Sequence, residues 1–499
     1  MAAAKEQAKK VRVEELETLE AGDLLGQMID TGIKPSDDTA RDRAKDLIKN
    51  FVEQLLDPGT VVDKNVVRTI NARIAAIDEV LSRQVDKILH HADFQRLEAS
   101  WRGLHQLVMG SETSETLKIK VYNVSKKDLQ KDFSGAAEFT ESALWKKIYE
   151  FEFGTYGGDP FGALVGDYEF DKGPQDVALL TNISEVAAAS HAPFIGGVAP
   201  KMFGMDSFTQ MPDPRDIAKI FDKSNPENIK WLSFRDSEDA RFVSLTLPHV
   251  LRRLPYNPDA NPVEDFHYEE DVSSEHEEYL WGNPAFDYAN RLTAAFAKHH
   301  WCVTIRGPEG GGLVEGLPIH VFKSREGEVG SKCPTEVLIP DTREKELSDL
   351  GFIGLLNCKN TDYAAFFGGN SVQRPKKYDT KEATANAKLS SQIPYLMATS
   401  RIAHYLKSIC RDKIGSFMSK EDCKAFLNRW ITQYVLLSDS ASQSEKAARP
   451  LREARIDVVD DKAKPGCYKA IAYLKPHFQL DELGVSLRLV ADLPAPAKT

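Results

Sequence analysis

The chain has 499 residues, 42% apolar and 28% charged, an ordinary balance for a globular protein large enough for two or three cores. Its 64 basic and 75 acidic residues leave a net charge of −11, which argues against nucleic acid as a partner, because phosphate recognition needs a concentrated basic surface. No apolar run reaches the ~18 residues of a membrane helix, and the charged start Met1–Lys10 leads into no apolar signal segment; a cytoplasmic location without membrane insertion is expected.

In chain order, residues 1–60 form an N-terminal tail, with turn chemistry at Thr31–Ser36 and Asp57–Gly59. Within it Leu24, Leu25, Met28 and Ile29 share one helical face. Such a face either docks on its own domain or serves as a handle for another protein. From Thr60 to Arg102 there is neither Gly nor Pro, and Val67, Ile70, Ile74, Ile77, Leu81, Val85 and Ile88 recur every three or four residues, predicting a long amphipathic helix. A second helix starts near Asp93 and carries Phe94, Leu97, Trp101, Leu104 and Leu107. Leu117, Ile119 and Val121 then alternate with Lys118, Lys120 and Tyr122, the pattern of a half-exposed strand.

Residues 61–375 mix strands, helices and Gly/Pro-rich loops. Strands are predicted at Phe161–Tyr168, Arg241–Leu247 and Trp301–Ile305, with a helix at Asn283–His299. The mixture predicts an α/β or α+β layer architecture. The polar stretch Lys376–Lys388 opens a last domain, 376–499, with helices around Ala398–Lys413 and Glu421–Leu437. It closes with a charged helix near Ser442–Arg455 and two strands, Tyr468–Leu474 and Val485–Val490; in the latter Val485, Leu487 and Leu489 form one face.

Little in the sequence speaks for catalysis. Arg306–Gly312 is glycine-rich and follows an apolar run, as phosphate-cradling turns do. It lacks the Lys-Ser/Thr ending of a P-loop, and a turn requiring positive φ accounts for its glycines equally well. The acidic segments Glu264–Asp271 and Glu275–Glu278 read as a solvated loop before a metal site. The adjacent pairs His90-His91 and His299-His300 point apart on a helix. Six cysteines, Cys302, Cys333, Cys358, Cys410, Cys423 and Cys467, are scattered without C-x-x-C spacing and read as small buried hydrophobes. No catalytic set, cofactor or metal is expected.

Longer strings are more specific. Phe94–Leu104 (FQRLEASWRGL), Pro193–Gly197, Tyr279–Asn283, Gly310–Pro318, Lys332–Glu336, Glu344–Phe352, Lys359–Phe367 (KNTDYAAFF) and Asn386–Gln392 together resemble the TssC/VipB family, the large subunit of the type VI secretion contractile sheath, from about Thr60 onward. The resemblance implies a core similar to phage tail sheath proteins, with strands exchanged between protomers. It implies a small sheath subunit (TssB/VipA-like) as partner, neighbouring copies in a helical polymer, an inner-tube protein (Hcp-like) and a baseplate. It also implies an AAA+ unfoldase (ClpV-like) that grips an N-terminal helix, for which Leu24, Leu25, Met28 and Ile29 are the candidates. On this view the glycine turn and the Phe194–Gly197 string are loops of the sheath core, and Leu117, Ile119, Val121, Val485, Leu487 and Leu489 are candidate intersubunit strands. The alternatives are a component of another contractile injection device, or an enzyme using the glycine turn.

Overall fold

A computed structural model describes residues 29, 32, 34–35, 37–55, 66–264, 266–272, 276–323, 329–416, 419–438, 440–460 and 468–479. These fall into two units, one reaching to Val85 and including Asn257–Glu269, the other holding Asp86–Tyr256 and the chain from Glu270 onward. In the first unit, α1 (Asp38–Leu55) precedes α2 (Val66–Leu89), whose last residues belong to the second unit. The predicted 3–4 periodicity of α2 is present, yet Val67, Ile70, Ile74, Ile77 and Val80 are all exposed.

The second unit is built on a six-stranded sheet. Strands β1 (Leu164–Phe170), β2 (Phe194–Val198) and β3 (Val243–Leu247) run parallel, next to β5 (Phe352–Asn357), also parallel to β3. Beyond β5, β6 (Ala364–Phe366) and β4 (Leu313–Val314) continue the sheet antiparallel. Parallel neighbours need long crossovers. Helix α4 (Pro174–Ser190) supplies the first, with Pro174 at its first turn and Val177, Leu180, Ile183 and Val186 buried. All five residues of β2 and of β3 are buried, as expected of strands covered on both faces. The string Phe194–Gly197 is therefore a central strand and not a loop. Side chains at Gly196 and Gly197 would meet the Phe170 ring and the Asn283 amide, so their glycines reflect close packing.

Helix α3 (Ala92–Met109) packs against α5 (Ala285–His299), and a Cβ on Gly103 would stand 2.4 Å from the Phe286 ring. His91 caps α3 by accepting from the Asp93 amide. His300 ends α5 in the left-handed region, φ 62°. Residues Trp301, Val303 and Ile305 are buried as predicted, but join no strand. Trp301 and Val303 pack instead in a second core with α7 (Ile393–Asp412), α8 (Lys420–Thr432) and the hairpin β7 (Leu451–Asp460) and β8 (Tyr468–Pro476), while Ile305 belongs to the main core. Helix α6 (Asp341–Asp349) leads into β5.

The predicted helix Ser442–Arg455 is corrected. Only Gln443–Ala448 is helical, started by a Ser442–Glu445 capping box. Pro450 disfavours a helical Arg449 before it, and the chain turns into β7, where Ile456 and Val458 are buried at period two.

The glycine turn has a structural explanation. Gly307 and Gly311 have φ 71° and 88°. The Gly307 amide donates to Phe366 O at 2.7 Å, and the Gly312 amide to Gly307 O at 2.9 Å. A Cβ on Gly312 would lie 2.6 Å from Phe366 O. The turn fastens β4 to β6 with its own amides.

Candidate functional site

Three features of the second unit bear on function, and none has the form of an active site. The first is the hairpin β7–β8, antiparallel from Leu451 opposite Pro476 to Asp460 opposite Tyr468. Among the described residues it forms a sheet of two strands, with β7 packed on α8. On β8, Tyr468, Ile471 and Tyr473 are exposed. A bare apolar edge is a template for another strand. The strand predicted at Tyr468–Leu474 is present; Val485, Leu487 and Leu489 lie outside the described residues.

The second feature is a groove of about 1390 Å³ between α3, residues 115–124, residues 153–168, α5 and α7. Its floor is apolar. Ile119 packs on Leu107, Phe286 and Ala289, while Leu97 and Trp101 stand 55% and 65% exposed along α3. The apolar stripe predicted for this helix is real, but four of its five residues line the groove.

Residues Leu117–Val121 border this groove without forming the predicted strand. Leu117 and Ile119 are half-buried and Lys118 and Lys120 exposed, which is strand-like alternation; Val121 is 67% exposed. Lys118 is anchored to Asp159 at 2.6 Å and Lys120 to Glu152 at 2.5 Å. Yet among the described residues no hydrogen bond engages the backbone of Lys118–Asn123. The correction has a physical reason: side chains fix the segment from one side, and among the described residues no strand lies beside it.

Across the groove, α7 presents Arg401, His404, Lys407 and Arg411. Arg401 lies over the rings of Phe296 and Tyr405, and Lys407 over Phe153 at 3.3 Å. Arg411 donates to the carbonyls of Thr155 (2.7 Å) and Phe153 (2.9 Å). Burial, helped by the Arg411 charge, brings Lys407 down to about 8. Burial also holds His404 down to about 4, so its imidazole is neutral and bonded to Ser190 O at 2.8 Å. Among the described residues no carboxylate pairs with Arg401, Lys407 or Arg411.

The third feature is a set of buried ion pairs behind the sheet. Arg252 bonds Asp287 at 2.9 Å, both side chains almost fully buried. Arg253 joins Glu98 at 2.8 Å and Glu270, and Glu270 also accepts from the Tyr256 amide and faces His90. Glu270 was expected in a solvated acidic loop; it is buried, where the Arg253 guanidinium and the Tyr256 amide hold its carboxylate. His249 lies between Glu336 (2.5 Å) and Glu169 (2.8 Å). Sequence spacing gives no sign of these partners, which are 80 or more residues apart.

The remaining expected sites resolve as follows. Ile29 is buried, whereas Leu24, Leu25 and Met28 lie outside the described residues. Of the cysteines, Cys358 and Cys410 are exposed, and Cys302, Cys333 and Cys423 half-buried, so the expectation of core thiols was too simple. Among the described residues no group of three or more His, Cys, Asp or Glu is placed to hold a metal, and no helix is long and apolar enough to cross a membrane.

Comparison with known proteins gives the family. Residues 71–373 match the EvpB/VC_A0108 tail sheath N-terminal domain, and residues 382–493 the tail sheath gpW/gp25-like domain of the same family. The type VI secretion system sheath protein TssC1 of Pseudomonas aeruginosa (strain PAO1) is 46% identical over 468 residues, covering 93% of each chain. This chain belongs to the type VI secretion sheath family, as a large subunit. It is a structural sheath subunit in a family that pairs with a small sheath subunit and polymerises with itself. Among solved structures, a chain of the anti-feeding prophage baseplate is similar at TM-score 0.35 and 10% identity, over 64% of this chain and 66% of that one. The contracted anti-feeding prophage sheath gives TM-score 0.31 and 12% identity, over 62% and 66%.

Proposed function

We propose that the chain builds, with its small partner, a cytoplasmic helical sheath around an inner tube (Hcp-like) on a baseplate, and that repacking of the sheath expels the tube. The observation that carries this reading is the β7–β8 hairpin, a two-stranded sheet with apolar side chains left exposed. Strands from neighbouring protomers, with Val485–Val490 as one candidate, complete it by β-augmentation. Backbone links of this kind hold protomers together while their bodies rotate, and a metastable lattice then releases its energy through better contacts. The chain acts without enzymatic turnover. Its glycine turn spends one amide on Phe366 O and another on Gly307 O, which supports a structural role for that turn. The tail helix face of Leu24, Leu25, Met28 and Ile29 is the handle by which a ClpV-like unfoldase dismantles spent sheath.

The test is co-expression of the chain with the small sheath subunit, followed by electron microscopy in nucleotide-free buffer. Tubules should form without ATP or GTP. A requirement for nucleotide, or soluble complexes that never polymerise, would sink the reading.

A further inference from the structure

The antiparallel hairpin of His320–Lys323 with Val329–Lys332 brings together parts of two sequence strings, Tyr279–Asn283 and Lys332–Glu336. Lys332 is half-buried on the second strand, and its Nζ lies 2.7 Å from His276 Nδ1. A lysine ammonium can only donate, so Nδ1 accepts and the imidazole carries its proton on Nε2. That Nε2 is buried without a hydrogen-bond partner and lies 3.5 Å from the Glu336 carboxylate. The imidazole is fixed in this orientation. Its ring stacks on Trp281 at 4.8 Å, and the Trp281 indole N–H donates to His276 O at 2.9 Å. Lys332 Nζ also lies over the rings of Tyr279 and Trp281, 5.0 and 5.7 Å from their centroids. Amine, base and an orienting carboxylate therefore follow one another, the arrangement that activates a nucleophile. Burial acts in the same direction. It draws the Lys332 pKa below the ordinary lysine value, against the opposing influence of Cys333, Glu336 and Glu277, and so raises the share of free amine.

We propose that Lys332 is a modification site, a reactive amine that takes acyl groups from activated acyl donors, namely acyl phosphates or acyl thioesters. The neutral amine attacks the donor's carbonyl carbon, and an N–C bond forms. The bond from that carbon to the phosphate oxygen or the thioester sulfur breaks, and its electron pair leaves on the oxygen or sulfur. One amine proton passes to His276 Nδ1 and from there to the departing group. His276 is restored and nothing is oxidised or reduced. The amide formed is stable in water, so the reaction is stoichiometric, in keeping with a subunit that acts without turnover. Acylation removes the charge at Nζ and with it the attraction of the Tyr279 and Trp281 ring faces for a cation. The competing reading is a lysine kept charged for packing, holding the hairpin against residues 276–281.

The full chain, co-expressed with the small sheath subunit, is incubated with acetyl phosphate and, separately, with acetyl-coenzyme A. Acetylation of each lysine is followed by peptide mass spectrometry. Lys131, whose side chain is 80% exposed, is the internal reference. Lys332 should be acetylated at least tenfold faster than Lys131 by one donor or both, and the donor that shows the excess names the source of the acyl group. His276→Gln keeps a polar side chain but no base. It should cut the Lys332 rate at least tenfold, with the Lys131 rate within twofold of the parent and circular dichroism unchanged. In the parent, the Lys332 rate should reach its plateau at a lower pH than the Lys131 rate, a readout that needs no variant and decides the matter if His276→Gln does not fold. Lys332 no faster than Lys131 with either donor makes it a packing cation and overturns the proposal. So does a folded His276→Gln protein that reacts at the parent's rate, and so do coincident pH profiles for the two lysines.

Discussion

At the residue scale, His249 shows how much of this chain's chemistry serves packing. Burial alone would lower its pKa, but the facing carboxylates of Glu169 and Glu336 carry it up to about 10. Burial would raise Glu336, yet the hydrogen bond from His249, with the His276 ring 3.5 Å away, holds its carboxyl well below the usual range. Ser207 and the Phe208 amide bond the same carboxylate at 2.9 and 3.2 Å. The two contributions to stability have opposite signs in pH. Glu336 has a depressed folded pKa, so its contribution is present above about pH 4.5 and is lost as acid protonates it. His249 has a raised folded pKa, so its contribution is complete below about pH 6.5 and fades as pH rises toward its folded value. The expected maximum lies between about pH 5 and 6.5. His249→Gln leaves Glu336 buried without its cation, which costs on the order of 3–5 kcal/mol when one partner of a buried pair is removed. Calorimetry of the heterodimer from pH 5 to 10 should show the parent losing its advantage over the variant with rising pH. A constant difference across that range would mean that His249 is not the titrating group.

At the element scale, the sequence is most legible where periodicity alone decides structure. The long stripe from Val67 to Ile88, the helix at α5 and the strand β8 follow from spacing. Three elements did not. Arg449-Pro450 converts a capped helix into β7 after six residues, a local signal outweighed by the charges of Ser442–Arg455. Two glycines disguise β2 as a loop, although they are there to admit Phe170 and Asn283. Trp301–Ile305 alternates like a strand, but alternation reports a buried face and not a ladder partner. The same limit applies to the assembly surfaces. Leu117–Val121 has strand alternation because of what lies against it, and no count of residues within one chain reveals a partner outside it. The β7–β8 hairpin gives the test at this scale. Leu487→Pro removes one ladder donor and fixes φ near −65° in the proposed exchanged strand. Soluble heterodimers with unchanged circular dichroism and no tubules are expected under the microscope. Normal tubules would show that the run Val485–Val490 links nothing.

At the scale of the whole molecule, the exposed face of α2, the groove and the hairpin edge are three apolar surfaces on one chain. Patches of this kind mark interaction sites in soluble proteins, and they make the polymer the state in which the chain is satisfied. Contraction deepens that stability, since it runs toward better contacts. On the proposed function, a contracted sheath does not return its subunits unaided, and the work of dismantling enters from outside this chain. The proposed point of entry is the N-terminal tail, where a short apolar face is enough for a grip. Leu24, Leu25 and Met28 occupy adjacent positions of one helical face, spaced i, i+1 and i+4. Ile29 is buried and is left unchanged in the test, so that any effect belongs to the grip. Leu25→Asp with Met28→Asp should leave tubule formation as in the parent, judged by electron microscopy. Turbidity decay of contracted sheath with a ClpV-like unfoldase and ATP should slow at least tenfold, since burying a carboxylate in an apolar binding groove costs several kcal/mol. Failure to form tubules would make the segment a structural element of the sheath, and undiminished disassembly would place the motor's grip elsewhere on the chain.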